Sequence, residues 1–155
     1  MAAGYDQVTA PSAPSLDQAI RLVIPAKPEY VSLARLALTG LSRLRELDPE
    51  TLADLKLAIT EATSNSVRHA YSDGAGTVEV LYDLQPDRLV IEVSDDGEGF
   101  DYDYDREPAA ADIEDELTEG GLGIAIIKTI ADEFELGRGP DGRGSRLRFT
   151  KRLEG

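Results

Sequence analysis

The sequence contains no cysteine and no tryptophan, one histidine and one methionine, the latter at position 1. Without cysteine the chain can form neither a disulfide nor a thiolate metal site, which suits a reducing cytoplasm. With six tyrosines and three phenylalanines in 155 residues, the core must be aliphatic, built from Leu, Ile, Val and Ala. No apolar run approaches the roughly 18 residues of a membrane span. The start MAAGYDQVTAPSAPS lacks the basic and apolar regions of a signal peptide, so a cytoplasmic protein with no membrane partner is expected. Positive charge is scarce: 16 basic against 30 acidic side chains give a net charge of −14. A phosphate backbone would be repelled, which argues against direct nucleic-acid binding. A basic protein partner fits this field, and so does charge serving solubility alone. Two familiar phosphate motifs are also missing, GxxxxGK[ST] and a GxGxxG after a first strand.

What is present is one domain's worth of ordinary globular sequence, 41% apolar and 30% charged. Residues 1–15 read as a flexible tail, and 16–155 as a single domain. AIRLVIPA (19–26) reads as a strand ending at Pro25. From Pro28, a helix is expected with Val31, Leu33, Ala34, Leu38, Leu41 and Leu44 at helical spacing. Asp48 stands as the cap of a second helix, with Pro49 at its first position, running to about Tyr71. TVEVLYDL (77–84) and RLVIEVSD (88–95) suggest an antiparallel hairpin. Half of residues 100–119 are Asp, Glu or Arg, without aliphatic periodicity, which reads as a long mobile loop. GGLGIAIIKTIADEFEL (120–136) opens with glycines and continues as an amphipathic helix, and ELGRG with GSRLRFTKRL suggests a last hairpin. This order predicts an α+β sandwich, a mostly antiparallel sheet with about three helices on one face.

Three stretches carry chemical interest. In EATSNSVRHAY, Glu61, Asn65 and His69 recur every four residues. They form a stripe of about 80° of arc beside the core stripe of Leu52, Leu55, Ile59, Ala62 and Ser66. A solvated helix edge gives the same pattern. In VSDDGEGF, Asp95 ends a strand, and Gly97 and Gly99 permit close backbone approach, as an ordinary acidic turn would too. GGLG (120–123) precedes a helix, where free N–H groups and the positive dipole end attract phosphate, although a hinge would use the same glycines.

Together and in this order, ExxxNxxxH, DxGxG and GxG resemble the sequence boxes of the gyrase, chaperone, histidine-kinase and MutL ATPase superfamily, whose nucleotide-binding domain is the Bergerat fold. EATSNSVRHAY, DDGEGFD, EGGLGIAIIKTIADEFEL and GSRLRFTKRL are most similar to the stand-alone anti-sigma-factor serine kinases of bacteria. The resemblance implies ATP or ADP and Mg²⁺ as cofactors. It implies Asn65 as the metal ligand, Glu61 as the general base and Asp95 as the acceptor for the adenine amino group. Gly97 and Gly99 would then lie against the base, Gly121, Leu122 and Gly123 at the phosphates, and 100–119 would form the ATP lid. Ser145 would help hold the adenine, and His69 matches the pattern without an assigned role.

The function so implied is an anti-sigma factor and ATP-dependent serine/threonine protein kinase. Its partners would be a sigma factor, an antagonist protein that it phosphorylates, and a second copy of itself in a homodimer. Two other readings stay open: a domain of another branch of the superfamily, and a nucleotide-gated binding module without catalysis.

Overall fold

The two runs TVEVLYDL and RLVIEVSD pair as expected, and the rest of the sheet grows outward from them. In the computed structural model, which describes residues 19–70, 76–97, 121–139 and 142–153, β2 (Thr77–Leu84) and β3 (Arg88–Asp95) lie antiparallel with Val80 opposite Val93. β1 (Ile20–Pro25) flanks β2, β5 (Arg146–Arg152) flanks β3, and β4 (Glu133–Gly137) closes the far edge. The order is β1-β2-β3-β5-β4 and every pairing is antiparallel. Alternation along the strands puts Ile24, Val78, Val80, Tyr82, Ile91, Val93, Leu147 and Phe149 on the face that is buried. The opposite face carries a cross-strand row of Arg21, Leu81, Glu92, Arg148 and Glu135. There Arg148 bridges Glu92 at 2.9 Å and Glu135 at 3.3 Å, so opposite charges alternate across neighbouring strands.

Among the described residues three helices cover the apolar face: α1 (Val31–Leu44), α2 (Pro49–Ala70) and α3 (Gly121–Ile130). α2 lies between the other two and rests on β2 and β3. Its start follows the sequence reading, since Asp48 Oδ2 accepts hydrogen bonds from the backbone N–H groups of Glu50 and Thr51, both at 3.2 Å. Leu55, Ala58, Ile59 and Ala62 face the core. Tyr82 ties the layers together, its hydroxyl donating to the Ala34 carbonyl at 2.8 Å.

The boundaries differ from expectation in three places. Pro28–Tyr30 forms a 3₁₀ turn, and the α-helix begins only at Val31. Within α1 the stripe is Val31, Ala34, Leu38 and Leu41, while Leu33 and Leu44 are exposed, because the buried set already repeats at steps of three and four. The glycine-led helix stops at Ile130 rather than continuing to Leu136. There the Asp132 N–H bonds to the Thr150 carbonyl at 2.8 Å, and Phe134 pairs opposite Phe149, so the sheet captures EFEL. The tail 1–15 and the expected lid 100–119 lie outside the described residues.

Candidate functional site

α2 is a 22-residue helix whose polar stripe lies in its second half. Glu61 is partly buried there and Asn65 retains only 2% of its surface. A side chain so placed must have its polar atoms accounted for. Asn65 Oδ1 accepts a 2.7 Å hydrogen bond from Arg68 Nη2, one turn further along. Asn65 Nδ2 is buried and has no hydrogen-bond partner among the described residues. The backbone of His69 belongs to α2, and its side chain lies outside the described residues.

The first turn of α3 abuts this stripe. The sequence reading put the glycines ahead of the helix, whereas the helix begins at Gly121 and includes Leu122 and Gly123. Leu122 is exposed, and Gly123 is buried against α2. A Cβ on Gly123 would lie 2.7 Å from Glu61 Oε1, 3.3 Å from Glu61 Cβ and 3.4 Å from Asn65 Nδ2. The missing side chain leaves Glu61 its present position, because any Cβ at Gly123 would push the carboxylate aside. The first-turn N–H groups, which lack intrahelical acceptors, are thereby brought beside Glu61 and Asn65.

A second cluster forms at the end of β3. Asp95 is 5% exposed, and both of its carboxylate oxygens are occupied. Oδ1 accepts from the backbone N–H of Gly97 at 2.9 Å, and Oδ2 from the Ser145 hydroxyl at 2.7 Å. The Asp95 N–H in turn donates to the Ser145 carbonyl at 3.1 Å. Gly144, at φ +67°, folds the chain tightly over this cluster. Its missing Cβ would collide with the Asp95 carbonyl and lie 2.9 Å from Asp95 Oδ1. Gly99 falls outside the described residues.

The structure therefore gathers Glu61, Asn65 and Gly123 in one group, and Asp95, Gly97 and Ser145 in another, joined through β3 beneath α2. Sequence reasoning passed over Gly144 and Arg68. The spacing of Arg68, three residues after Asn65, was a usable signal, since residues at that spacing meet on a helix surface. Among the described residues no group of three or more His, Asp or Glu side chains is placed to hold a metal by itself. No helix among them is long and apolar enough to cross a membrane.

Residues 24–151 match the family model of the histidine kinase-like ATPase domain. The chain belongs to the histidine kinase-like ATPase family. Among similar members are the serine-protein kinases RsbW of Bacillus velezensis and Bacillus subtilis, each 36% identical over 141 residues, covering 88% of this chain and 86% of each relative. The RsbW of Listeria innocua is 40% identical over 122 residues, 76% of this chain and 78% of its own. Two solved structures share the family fold. One is the SiaB–SiaC complex of Pseudomonas aeruginosa, with a TM-score of 0.61 and 20% identity over 84% of this chain and 89% of that one. The other contains the RsbU and RsbW domains of a Mycobacterium tuberculosis protein, with a TM-score of 0.60 and 22% identity over 86% of this chain. This histidine kinase-like ATPase spans 32% of that longer chain.

Proposed function

We propose that this protein is an ATP-dependent serine/threonine protein kinase that also acts as an anti-sigma factor, sequestering a sigma factor and phosphorylating the antagonist protein that opposes it. The kinase part rests on membership of the ATPase family and on 36–42% identity to serine-protein kinases over most of the chain. The observation that carries the site is the meeting of Glu61 and Asn65 with the glycine-bearing first turn of α3. One carboxylate, one buried amide and a helix N-terminus face the same small volume, as transfer of a phosphoryl group requires.

Within it each group has a distinct task. The carboxylate of Glu61 takes the proton of the attacking serine or threonine hydroxyl as its oxygen bonds to the γ-phosphorus and the β–γ bridging bond breaks, leaving ADP. The N–H groups at the start of α3 offset charge on the phosphate oxygens, helped by the positive end of the helix dipole. Asp95 accepts from the adenine amino group, and Ser145 and Gly97 hold its carboxylate in place for that task. The residues fit a magnesium ion as well, because Asn65 Oδ1 is a hard oxygen already turned toward a cation, the Arg68 guanidinium. Asn65 would hold that ion, which supplies charge neutralisation between the phosphates when bound. Residues 100–119 would close over the nucleotide. The partners act in the cytoplasm, and the protein works as a homodimer.

The test is transfer of labelled phosphate from ATP to candidate antagonist proteins of the same genome, comparing wild type with Glu61→Gln. Loss of the base should slow transfer by about 10²–10⁴-fold while nucleotide and sigma-factor binding persist. Transfer at the wild-type rate would remove Glu61 from the chemistry. Nucleotide binding without transfer by either protein would favour the nucleotide-gated binding module.

A further inference from the structure

Arg68 is an exposed arginine in a chain with 30 acidic side chains, yet among the described residues it forms no ion pair. Its guanidinium instead donates to a neutral amide oxygen, Asn65 Oδ1, at 2.7 Å. The rest of that amide is anchored by nothing else described, since Nδ2 is buried without a partner. Arg68 therefore fixes which way the Asn65 amide points, oxygen toward the guanidinium and nitrogen toward Gly123 of α3. A guanidinium and a metal ion both seek the lone pairs of that oxygen, and they repel each other at such range.

We propose that Arg68 is a resident stand-in cation: it occupies Asn65 Oδ1 in the nucleotide-free protein, and must withdraw when a divalent metal arrives with the nucleotide. Arg68 is thus a positioning residue that sets how much metal the site demands. The inference rests on the reading of Asn65 as the metal ligand. Exchange is feasible because the arginine approaches from solvent, so its long side chain can leave without disturbing the core. It also gives the orphaned Nδ2 a reason. An amide tuned to present one oxygen to alternating cations can leave its nitrogen unpaired, whereas a structural amide would be expected to use both ends.

The experiment measures half-saturating Mg²⁺ for ADP binding by calorimetry in the full chain, for wild type, Arg68→Met and Asn65→Ala. Arg68→Met removes the competitor and should lower the Mg²⁺ requirement about 3–10-fold, the modest worth of an exposed charge-assisted hydrogen bond. The shift should survive at high salt, where simple loss of a nearby positive charge is screened. An unchanged or raised requirement in Arg68→Met, or a shift abolished by salt, overturns the proposal. Asn65→Ala separates the stand-in role of Arg68 from the metal-binding role of Asn65. If it raises the Mg²⁺ requirement while Arg68→Met does nothing, only the stand-in role fails. If it too leaves the requirement unchanged, the metal assignment itself falls. Matching thermal melts for Arg68→Met establish that the fold is intact.

Discussion

Ser145 Oγ donates to Asp95 Oδ2 at 2.7 Å across 50 positions of sequence, joining the end of β3 to the start of β5. The hydroxyl is the adaptable member of the pair, since it can turn to accept instead of donate. In Asp95→Asn the new amide oxygen can accept from the Gly97 N–H while its NH₂ donates to a rotated Ser145 hydroxyl. Stability should therefore change by less than about 1 kcal/mol. Nucleotide affinity should nevertheless fall about 10-fold or more, because the acceptor facing the adenine amino group is lost. Calorimetry with ADP beside a thermal melt reads both, and an unchanged affinity would sink the adenine assignment.

Gly123→Ala probes the contact between α2 and α3. The nearest atom to the new methyl is Glu61 Oε1, the free end of a flexible side chain, at 2.7 Å. The carboxylate can swing aside, so unfolding free energy should shift by no more than about 1 kcal/mol, with alanine's better helix propensity offsetting some strain. Phosphate transfer should drop at least tenfold because the base has moved. A variant that is stable and fully active would show that Glu61 does not need its present position.

Two other glycines make opposite predictions from one substitution. Gly40 lies within α1 with open space around the added carbon, so Gly40→Ala should stabilise the fold by about 0.5–1 kcal/mol. Gly144 combines φ +67° with a collision against the Asp95 carbonyl, so Gly144→Ala should destabilise by about 2 kcal/mol or more and loosen nucleotide binding with it. Urea unfolding of the pair checks the contrast, and similar shifts in both would contradict it.

Tyr82 gives the fold an alkaline limit. Burial pushes its phenol well above the ordinary tyrosine value, and its proton is held on the Ala34 carbonyl. The folded pKa is raised above the unfolded one, so the stability it contributes is fully present below pH about 10 and declines as pH climbs beyond. Tyr82→Phe should cost about 1 kcal/mol at pH 7 and show a shallower alkaline loss of stability than wild type. Urea melts at neutral and alkaline pH distinguish the two. Parallel losses in both proteins would assign the alkaline limit to other groups.

The sheet and its helices were legible because their signals are local. Val and Ile alternation marks β2 and β3, and Asp48–Pro49 marks the start of α2. Where a distant strand decided, local signals failed: EFEL has a helical pattern, but its backbone pairs with β5. The same division holds at the site. Glu61 and Asn65 share a helix face by arithmetic, so their neighbourhood could be read directly. That Gly123 packs on them, and that Gly144 crosses Asp95, depends on which elements meet in space. Arg68 was within reach through its spacing, but a basic side chain on a helix surface gives no hint that its partner is a buried amide.

The two halves of the site are fastened differently. Asp95 is stitched into the sheet, with its N–H bonded to the Ser145 carbonyl and its side chain bonded across to the Ser145 hydroxyl. Glu61 meets the first turn of α3 at Gly123 by packing of one helix against another. Such contact lets helices part at lower cost than strands, which must break ladder bonds in register. Amide exchange should therefore be slow at β3 and β5 and faster at the first turn of α3, a gradient running through one site. Adenine would meet a nearly rigid wall, and the phosphates a surface able to breathe.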